Sequence, residues 1–190
     1  MALLFITHPE VVVDPAIPVP RWGLSRKGHE RMTAFAHSNI AASVKAVWSS
    51  AETKALEAAA ILAAHLRLTP HVDEDLHEND RTATGFLPPA EFEQVADAFF
   101  AQPEVSVRGW ETAAHAQARV LAALGRILAA APADGDIAVV AHGAVGTLAL
   151  CHHLGVPIAR SYDQPFQGHY WTLDGGRTLH GWRSIAERQG

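Results

Sequence analysis

The chain has 190 residues, of which 48% are hydrophobic, and its formal net charge is −5. This length and apolar fraction predict one domain, residues 1–190, with a full hydrophobic core. The negative charge, the absence of a Lys/Arg run and the absence of an apolar stretch long enough to span a bilayer predict a small-molecule partner rather than nucleic acid or a membrane.

Periodicity and turn residues predict an alternation of strands and helices. The first predicted elements are a strand over 2–7, a proline-rich loop over 9–24, a helix from Ser25 to about Ala41 and a strand over 44–48. They are followed by a helix that Ser49 and Ser50 cap and that ends near Leu66, a polar loop over 71–90 that ends in Pro88 and Pro89, and a helix from there to about Ala101. The last elements are a helix over 111–131, a strand over 137–141, a helix over 143–154 and a hairpin of strands 169–173 and 178–182. This order predicts an α/β fold, a three-layer αβα sandwich with a mainly parallel central sheet.

The single cysteine, Cys151, lies in an apolar stretch, and one cysteine excludes a disulfide within the chain. We therefore expect a buried thiol. The start of the sequence has neither the basic flank nor the cleavage site of a signal peptide. Both features favour a cytoplasmic protein.

Two histidines directly follow apolar strand-like segments, His8 after residues 2–7 and His142 after residues 136–141. Ligands of open α/β sheets bind at the carboxyl ends of the strands. We therefore expect the two imidazoles to meet in one pocket, which the two long loops help to shape. The helix predicted from Gly143 starts there as well, and its free N–H groups and dipole favour an anion.

Five segments together resemble motifs of the histidine phosphatase superfamily, also called phosphoglycerate-mutase-like. They follow the order of the family's motifs and extend over nearly the whole chain: Thr7-His8-Pro9 is similar to the Arg-His-Gly signature, residues 22–28 to the Leu-Ser-x-x-Gly helix start, residues 48–59 to Ser-Ser-Pro-Leu-x-Arg-Ala-x-Gln-Thr-Ala, residues 75–78 to the stretch that supplies the acid, and residues 139–143 to the second histidine motif. The resemblance implies a cofactor-independent phosphomonoester hydrolase with a small phosphorylated substrate.

The resemblance also implies roles for individual residues. His8 would form a phosphohistidine, Glu78 would be the proton donor and acceptor, and His142 and Lys54 would hold the phosphoryl oxygens. Phosphoryl transfer through a covalent intermediate needs such a neutral nitrogen nucleophile and positive charge around the phosphorus. A mutase is less favoured, because no segment is identified that would retain a bisphosphate.

The chain departs from the family's pattern where the phosphoryl group is bound. Thr7 replaces the first arginine, Pro9 replaces the glycine after the nucleophile, and Lys54 replaces the second arginine. One cation is therefore missing and the other lacks a bidentate fork. We expect another arginine to enter from a loop. The candidates, in order of preference, are Arg108, Arg81 and Arg21.

Two alternatives follow from these departures and from the composition of the polar loop. The first alternative to a phosphatase is a catalytically silent relative of the family that binds an anionic ligand or a protein partner. Within the polar loop, other carboxylates compete with Glu78 for the role of the acid, namely Glu74, Asp75 and Asp80. The histidines lack metal-ligand spacing, so neither a metal nor another cofactor is predicted.

Overall fold

The structure of the protein is a computed structural model that describes residues 1–132 and 134–186. Residues 133 and 187–190, which belong to the predicted domain, lie outside the described residues. The strands are β1 (Ala2–Thr7), β2 (Val44–Ser49), β3 (His71–Val72), β4 (Asp136–Ala141), β5 (His169–Asp174) and β6 (Arg177–Ser184). The α-helices are α1 (Arg26–Ala36), α2 (Thr53–Leu66), α3 (Pro89–Ala101), α4 (Ala113–Ala129) and α5 (Gly143–Leu154).

The strands form one sheet in the order β3-β2-β4-β1-β5-β6. Four neighbouring strands, β3, β2, β4 and β1, run parallel to one another. β5 pairs antiparallel with both β1 and β6, and it comes from the terminal hairpin. The predicted mainly parallel sheet is therefore confirmed.

The central strands are buried on both faces, which is why they are apolar without interruption. On β1, Leu3 and Phe5 pack in a cluster with residues of α3, α4 and α5. Their neighbours Leu4 and Ile6 point to the other face and pack in a second cluster with residues of α1 and α2. Helices therefore cover both sides of the sheet, and the predicted three-layer sandwich is confirmed.

The end of α1 and the start of α4 differ from the prediction. α1 ends at Ala36 rather than near Ala41, because the Ser38 backbone and hydroxyl both bond to the Phe35 carbonyl and close a turn. α4 begins after Thr112, whose side chain accepts a hydrogen bond from the His115 N–H group. This cap satisfies a free donor of the first turn, so the helix does not extend to residue 111.

The start of α2 is also different, and it matters for the site. Ser49 and Ser50 do not cap the helix as predicted, because Glu52 is the N-cap residue and its side chain makes no cap bond. The Ser49 hydroxyl instead donates to the Ser50 carbonyl. The Ser50 hydroxyl accepts a hydrogen bond from the Glu52 N–H group at 3.2 Å and also contacts the histidine that follows β4, as described below. The two-residue strand β3 lies in the predicted polar loop.

Two further observations concern burial. Cys151 is completely buried on α5, as expected from its apolar surroundings. Among the residues that the structure describes, none of the helices combines the length and the hydropathy that a membrane crossing requires.

Two helical glycines provide a test of the packing between α5 and the sheet. A Cβ atom added at Gly146 would lie 2.6 Å from the Phe5 ring and 2.8 Å from the Trp182 ring. At Gly125, on α4, it would meet nothing within 4 Å. We expect Gly146→Ala to lower the free energy of unfolding by about 1–3 kcal/mol through overpacking. Gly125→Ala should raise it by about 0.5–1 kcal/mol through helix propensity. Urea unfolding measures both, and equal gains would show that α5 is not packed this closely.

Candidate active site

The register of two parallel strands brings the two predicted histidines together. Thr7 pairs with Ala141 at the ends of β1 and β4, and the His8 N–H group donates to the Ala141 carbonyl at 3.1 Å. His8 directly follows Thr7, and His142 directly follows Ala141. The centroids of the His8 and His142 rings are 5.3 Å apart.

His8 has the properties of a neutral nucleophile. Its Nδ1 lies 2.9 Å from the Pro9 carbonyl oxygen, and because a carbonyl only accepts, Nδ1 carries the proton. Nε2 therefore holds the lone pair, and it makes no hydrogen bond to a described residue. Burial lowers the pKa of His8 to about 4, so the ring is neutral at pH 7. His8 lines an open cavity of about 360 Å³, which we call the His8 cavity.

His142 lies behind this cavity rather than on its surface. The side chain is completely buried, and it is not among the described residues that line the cavity. Its Nε2 lies 2.8 Å from the Ser50 hydroxyl and 3.5 Å from a Glu52 carboxylate oxygen, and its Nδ1 has no partner among the described residues. Burial lowers the pKa of His142 well below its ordinary value, even though Glu52 opposes this shift.

Glu52 is a carboxylate inside the site that the sequence analysis did not single out. One oxygen contacts the Lys54 ammonium group, and the other accepts a hydrogen bond from the Glu78 N–H group at 2.9 Å. Burial alone would raise the pKa of Glu52, but its interactions with the His142 ring and the Lys54 charge, together with hydrogen bonds from Lys54 and the Glu78 N–H group, outweigh burial and lower it to about 2. Glu52 is therefore ionised at pH 7. Lys54 lines the His8 cavity, but much of its charge is already balanced.

The N-terminus of α5 holds a carboxylate of the protein itself. The two Glu78 carboxylate oxygens accept hydrogen bonds from the Ala144 N–H group at 3.2 Å and the Val145 N–H group at 3.1 Å. The predicted anion-binding end of this helix thus binds Glu78. Burial raises the pKa of Glu78 above its ordinary value, although Arg81 and these hydrogen bonds act against the shift. Of the four competing carboxylates in the polar loop, only Glu78 lines the His8 cavity; the others, Glu74, Asp75 and Asp80, do not.

Thr7 does not reach the cavity, but it positions a residue that does. Its buried hydroxyl donates to the Gln164 side-chain carbonyl at 2.6 Å and accepts from the His169 N–H group at 2.9 Å. Gln164 lines the His8 cavity together with Gly143. A Cβ atom at Gly143 would collide with the Gln164 side-chain nitrogen, so the approach of the amide requires glycine at this position.

The three candidate arginines lie in different places. Arg81 lines the His8 cavity, and its guanidinium lies 5.0 Å from the Phe92 ring centroid and 5.8 Å from that of Trp110. It forms no ion pair with any residue that the structure describes. Arg108, the favoured candidate, is instead paired with Glu91 at the surface and does not line the cavity. Arg21 is exposed and does not line it either. The preference for Arg108 is therefore wrong, because of the three candidates Arg81 is the one that lines the His8 cavity.

Three residues in or near the site, Glu52, Gln164 and Asn79, were not proposed from the sequence. Glu52 was visible as a charged residue where the second motif of the resembled family has leucine. Gln164 and Asn79 gave no signal, because each is a single polar residue in a loop. The Asn79 side chain is 4% exposed, and its nitrogen has no partner in the described part of the chain.

Comparisons with known proteins concern the family and the fold. A family model described as histidine phosphatase superfamily (branch 1) matches residues 19–173. No curated protein sequence matches the chain. The fold is similar to that of a mycobacterial glucosyl-3-phosphoglycerate phosphatase solved with inorganic phosphate, with a TM-score of 0.81 at 20% identity, covering 97% of this chain and 98% of the other.

Two other solved structures are similar to a comparable extent. YhfR from Bacillus stearothermophilus aligns with a TM-score of 0.78 at 21% identity, covering 95% of this chain and 94% of the other. The alpha-ribazole phosphatase from Shigella flexneri aligns with a TM-score of 0.77 at 18% identity, covering 98% of each chain. These likenesses establish a shared fold.

The placement of the arginines leads to a prediction about anion binding. Arg81→Ala removes a cation of the cavity that has no carboxylate partner in the described part of the chain, so the affinity for inorganic phosphate should fall by about 2–4 kcal/mol. Arg108→Ala is the matched control, since it removes the same charge outside the cavity, and it should bind phosphate as the wild type does. Isothermal titration calorimetry measures both. Equal affinities for all three proteins would show that Arg81 does not bind the anion.

Proposed function

This chain belongs to the histidine phosphatase superfamily, and we propose that it hydrolyses a small phosphomonoester through a phosphohistidine formed on His8. The observation that carries the proposal is the state of His8, a neutral imidazole that lines an open cavity and whose Nε2 makes no hydrogen bond to a described residue. A nitrogen nucleophile must be unprotonated to attack phosphorus. Arg81, a cation that has no carboxylate partner among the described residues, lines the same cavity.

The reaction has two steps. In the first, the His8 Nε2 lone pair forms a bond to phosphorus, the bond from phosphorus to the ester oxygen breaks, and the protonated Glu78 carboxyl gives its proton to the leaving oxygen. In the second, a water attacks phosphorus while the Glu78 carboxylate takes its proton. The bond between phosphorus and Nε2 then breaks, which releases phosphate and returns His8 to its neutral state.

Lys54, Arg81, Gly143 and Gln164 line the cavity and would surround the transferred phosphoryl group. Lys54 and Arg81 supply charge, and the Gln164 amide takes the place of the arginine that Thr7 replaces. His142 does not line the cavity, so we assign it a positioning role through its contacts with Ser50 and Glu52.

The names of the similar structures support a small phosphomonoester as the substrate. Two of them are phosphatases named for glucosyl-3-phosphoglycerate and alpha-ribazole, which are small molecules. A buried cysteine and a small-molecule substrate are both compatible with a cytoplasmic enzyme, which we retain as part of the proposal.

A specific observation favours a second candidate, a silent relative that binds an anion or a protein partner. Glu52 balances the Lys54 charge, and Glu78 occupies the helix N-terminus, so two groups that would bind a phosphoryl oxygen already have protein partners. Against this candidate, Pro9 does not fill the His8 cavity, and residues of the proline-rich loop only line it.

Turnover by a histidine variant decides between the two candidates. Wild-type protein should hydrolyse members of a panel of phosphate esters, and His8→Ala should lose about 10³-fold or more of this activity because the nucleophile is gone. His71→Ala, an exposed histidine on β3, is the matched control and should keep wild-type turnover. Equal turnover by His8→Ala and the wild type would remove His8 as nucleophile. No turnover by any protein would favour the silent relative.

The pKa values of the two reacting groups predict the pH dependence. His8 must be neutral, so kcat/KM should rise as the pH increases through about 4 rather than through 6.5. Glu78 must be protonated in the first step, so kcat/KM should fall as the pH exceeds the raised pKa of this carboxyl. Activity should therefore be highest between a pH of about 4 and the raised pKa of Glu78.

Glu78→Gln tests the alkaline limb with the same substrate, so that ionisation of the substrate itself affects both proteins equally. The variant should lose about 10²–10⁴-fold in rate and the part of the alkaline limb that belongs to Glu78. An acid limb centred at 6.5 in the wild type would contradict the assignment of a buried, neutral His8.

A further inference from the structure

A second cavity adjoins the His8 cavity. It has a volume of about 690 Å³, within the usual range for small-molecule sites, and lies between residues 15–20 of the proline-rich loop and residues 77–86 of the polar loop. We call it the second cavity. Four of the lining residues are shared by the two cavities: Val19, Glu78, Asn79 and Arg81. The two cavities are therefore neighbours that share part of their walls.

One wall of the second cavity is apolar and stays in contact with solvent. It consists of the side chains of residues 15–20, and Phe86 closes it from the polar loop. Ile17 is 42% exposed and Phe86 is 36% exposed, although both are large apolar side chains. Covering such surface with an apolar ligand is favourable by about 25 cal/mol for each Å² removed from water. This wall is thus suited to an apolar group, whereas residues 77–82 on the other side of the cavity include polar and charged side chains.

The apolar wall is held in place before any ligand binds. The Trp22 indole N–H group contacts the carbonyl oxygens of Asp14 at 2.9 Å and Ile17 at 3.0 Å. The Lys54 ammonium group donates to the Val19 carbonyl at 3.0 Å. A preformed wall loses little conformational entropy on binding. The Lys54 contact also ties the wall to a residue that lines the His8 cavity.

Polar donors lie where the two cavities meet. The nearly buried Asn79 side chain lines both cavities, and its nitrogen lacks a partner among the described residues. A buried donor without a partner destabilises the protein unless a ligand or water satisfies it. Arg81 lines both cavities as well, so it can contact the phosphoryl group from the side of the leaving group.

We propose that the second cavity binds the alcohol portion of the substrate, and that this alcohol carries a bulky apolar group, with aromatic groups preferred. The substrate class is thus an ester of phosphate with an apolar or aromatic alcohol, rather than with a sugar or another polyol. This inference rests on the proposed function, because it takes the phosphoryl group to react at His8.

The test compares esters whose leaving oxygens are equally basic. 2-(1-Naphthyl)ethyl phosphate and ethyl phosphate differ in the apolar group, and glucose 6-phosphate is a bulky polar control. We expect the wild type to have a kcat/KM for the naphthyl ester on the order of 100-fold above that for ethyl phosphate. Similar kcat/KM values for the two, or the highest value for glucose 6-phosphate, would overturn the proposal.

Variants of the wall make the test local. Ile17→Ser keeps the backbone carbonyl that Trp22 contacts, and Phe86→Ala removes the opposing ring. Each should lower kcat/KM for the naphthyl ester by about 5- to 10-fold and leave ethyl phosphate unchanged. Val13→Ser is the matched control, since Val13 is exposed on the same loop but lines neither cavity. Equal losses with both esters would overturn the proposal.

A binding arm separates this inference from the proposed function. 2-(1-Naphthyl)ethyl phosphonate has a carbon–phosphorus bond that the reaction does not break, so calorimetry can measure its affinity without turnover. If no ester is hydrolysed but the phosphonate binds and Ile17→Ser weakens it about 5-fold or more, the phosphatase proposal is overturned and the apolar subsite is supported. If the phosphonate does not bind or if Ile17→Ser leaves its affinity unchanged, the subsite is overturned, whatever the turnover.

Discussion

The parallel pairing of β1 with β4 is the contact on which the rest of the site depends. His8 and His142 follow residues that face each other in this register, and the His8 N–H group is itself bonded to the Ala141 carbonyl. A slip of one residue would move every side chain of β1 to the opposite face of the sheet. Because both faces are packed against helices, the apolar core fixes the register, and the register fixes the distance between the two imidazoles.

Charge balance is the second constraint, and it is met within the protein. Removing an ion from water costs several kcal/mol unless a partner replaces the water. Glu52 is the partner of the Lys54 ammonium group, and the N–H groups at the start of α5 are the partners of the Glu78 carboxylate. His8 and His142 remain neutral because burial lowers both pKa values. The site is thus stable when no anion is bound, although it has lost the family's two arginines.

The sequence predicted those parts of the structure that local patterns determine. The apolar runs of β1 and β4 and the direct continuation into α5 placed His8, His142 and Gly143 at one edge of the sheet. The contacts of Gln164 could not be predicted, because they join residues about 160 positions apart through loop conformations that no local pattern records. Arg108 was preferred for its position before the helix, whereas the placement of Arg81 depends on aromatic rings of α3 and of the segment before α4.

The charge balance connects the chemistry of Glu78 with the binding of a dianion. When Glu78 is ionised, two carboxylates, Glu52 and Glu78, lie near two cations, Lys54 and Arg81. The third cation at the His8 cavity, Arg160, is already paired with Glu93 and Asp97, so a phosphoryl dianion gains little. Protonation of Glu78 removes one negative charge from the site and weakens the hydrogen bonds that this side chain accepts from the α5 N–H groups. Since a bound dianion in turn raises the pKa of Glu78, the two events favour each other. In the proposed reaction the same proton therefore prepares the site for the phosphoryl group and then leaves with the alcohol.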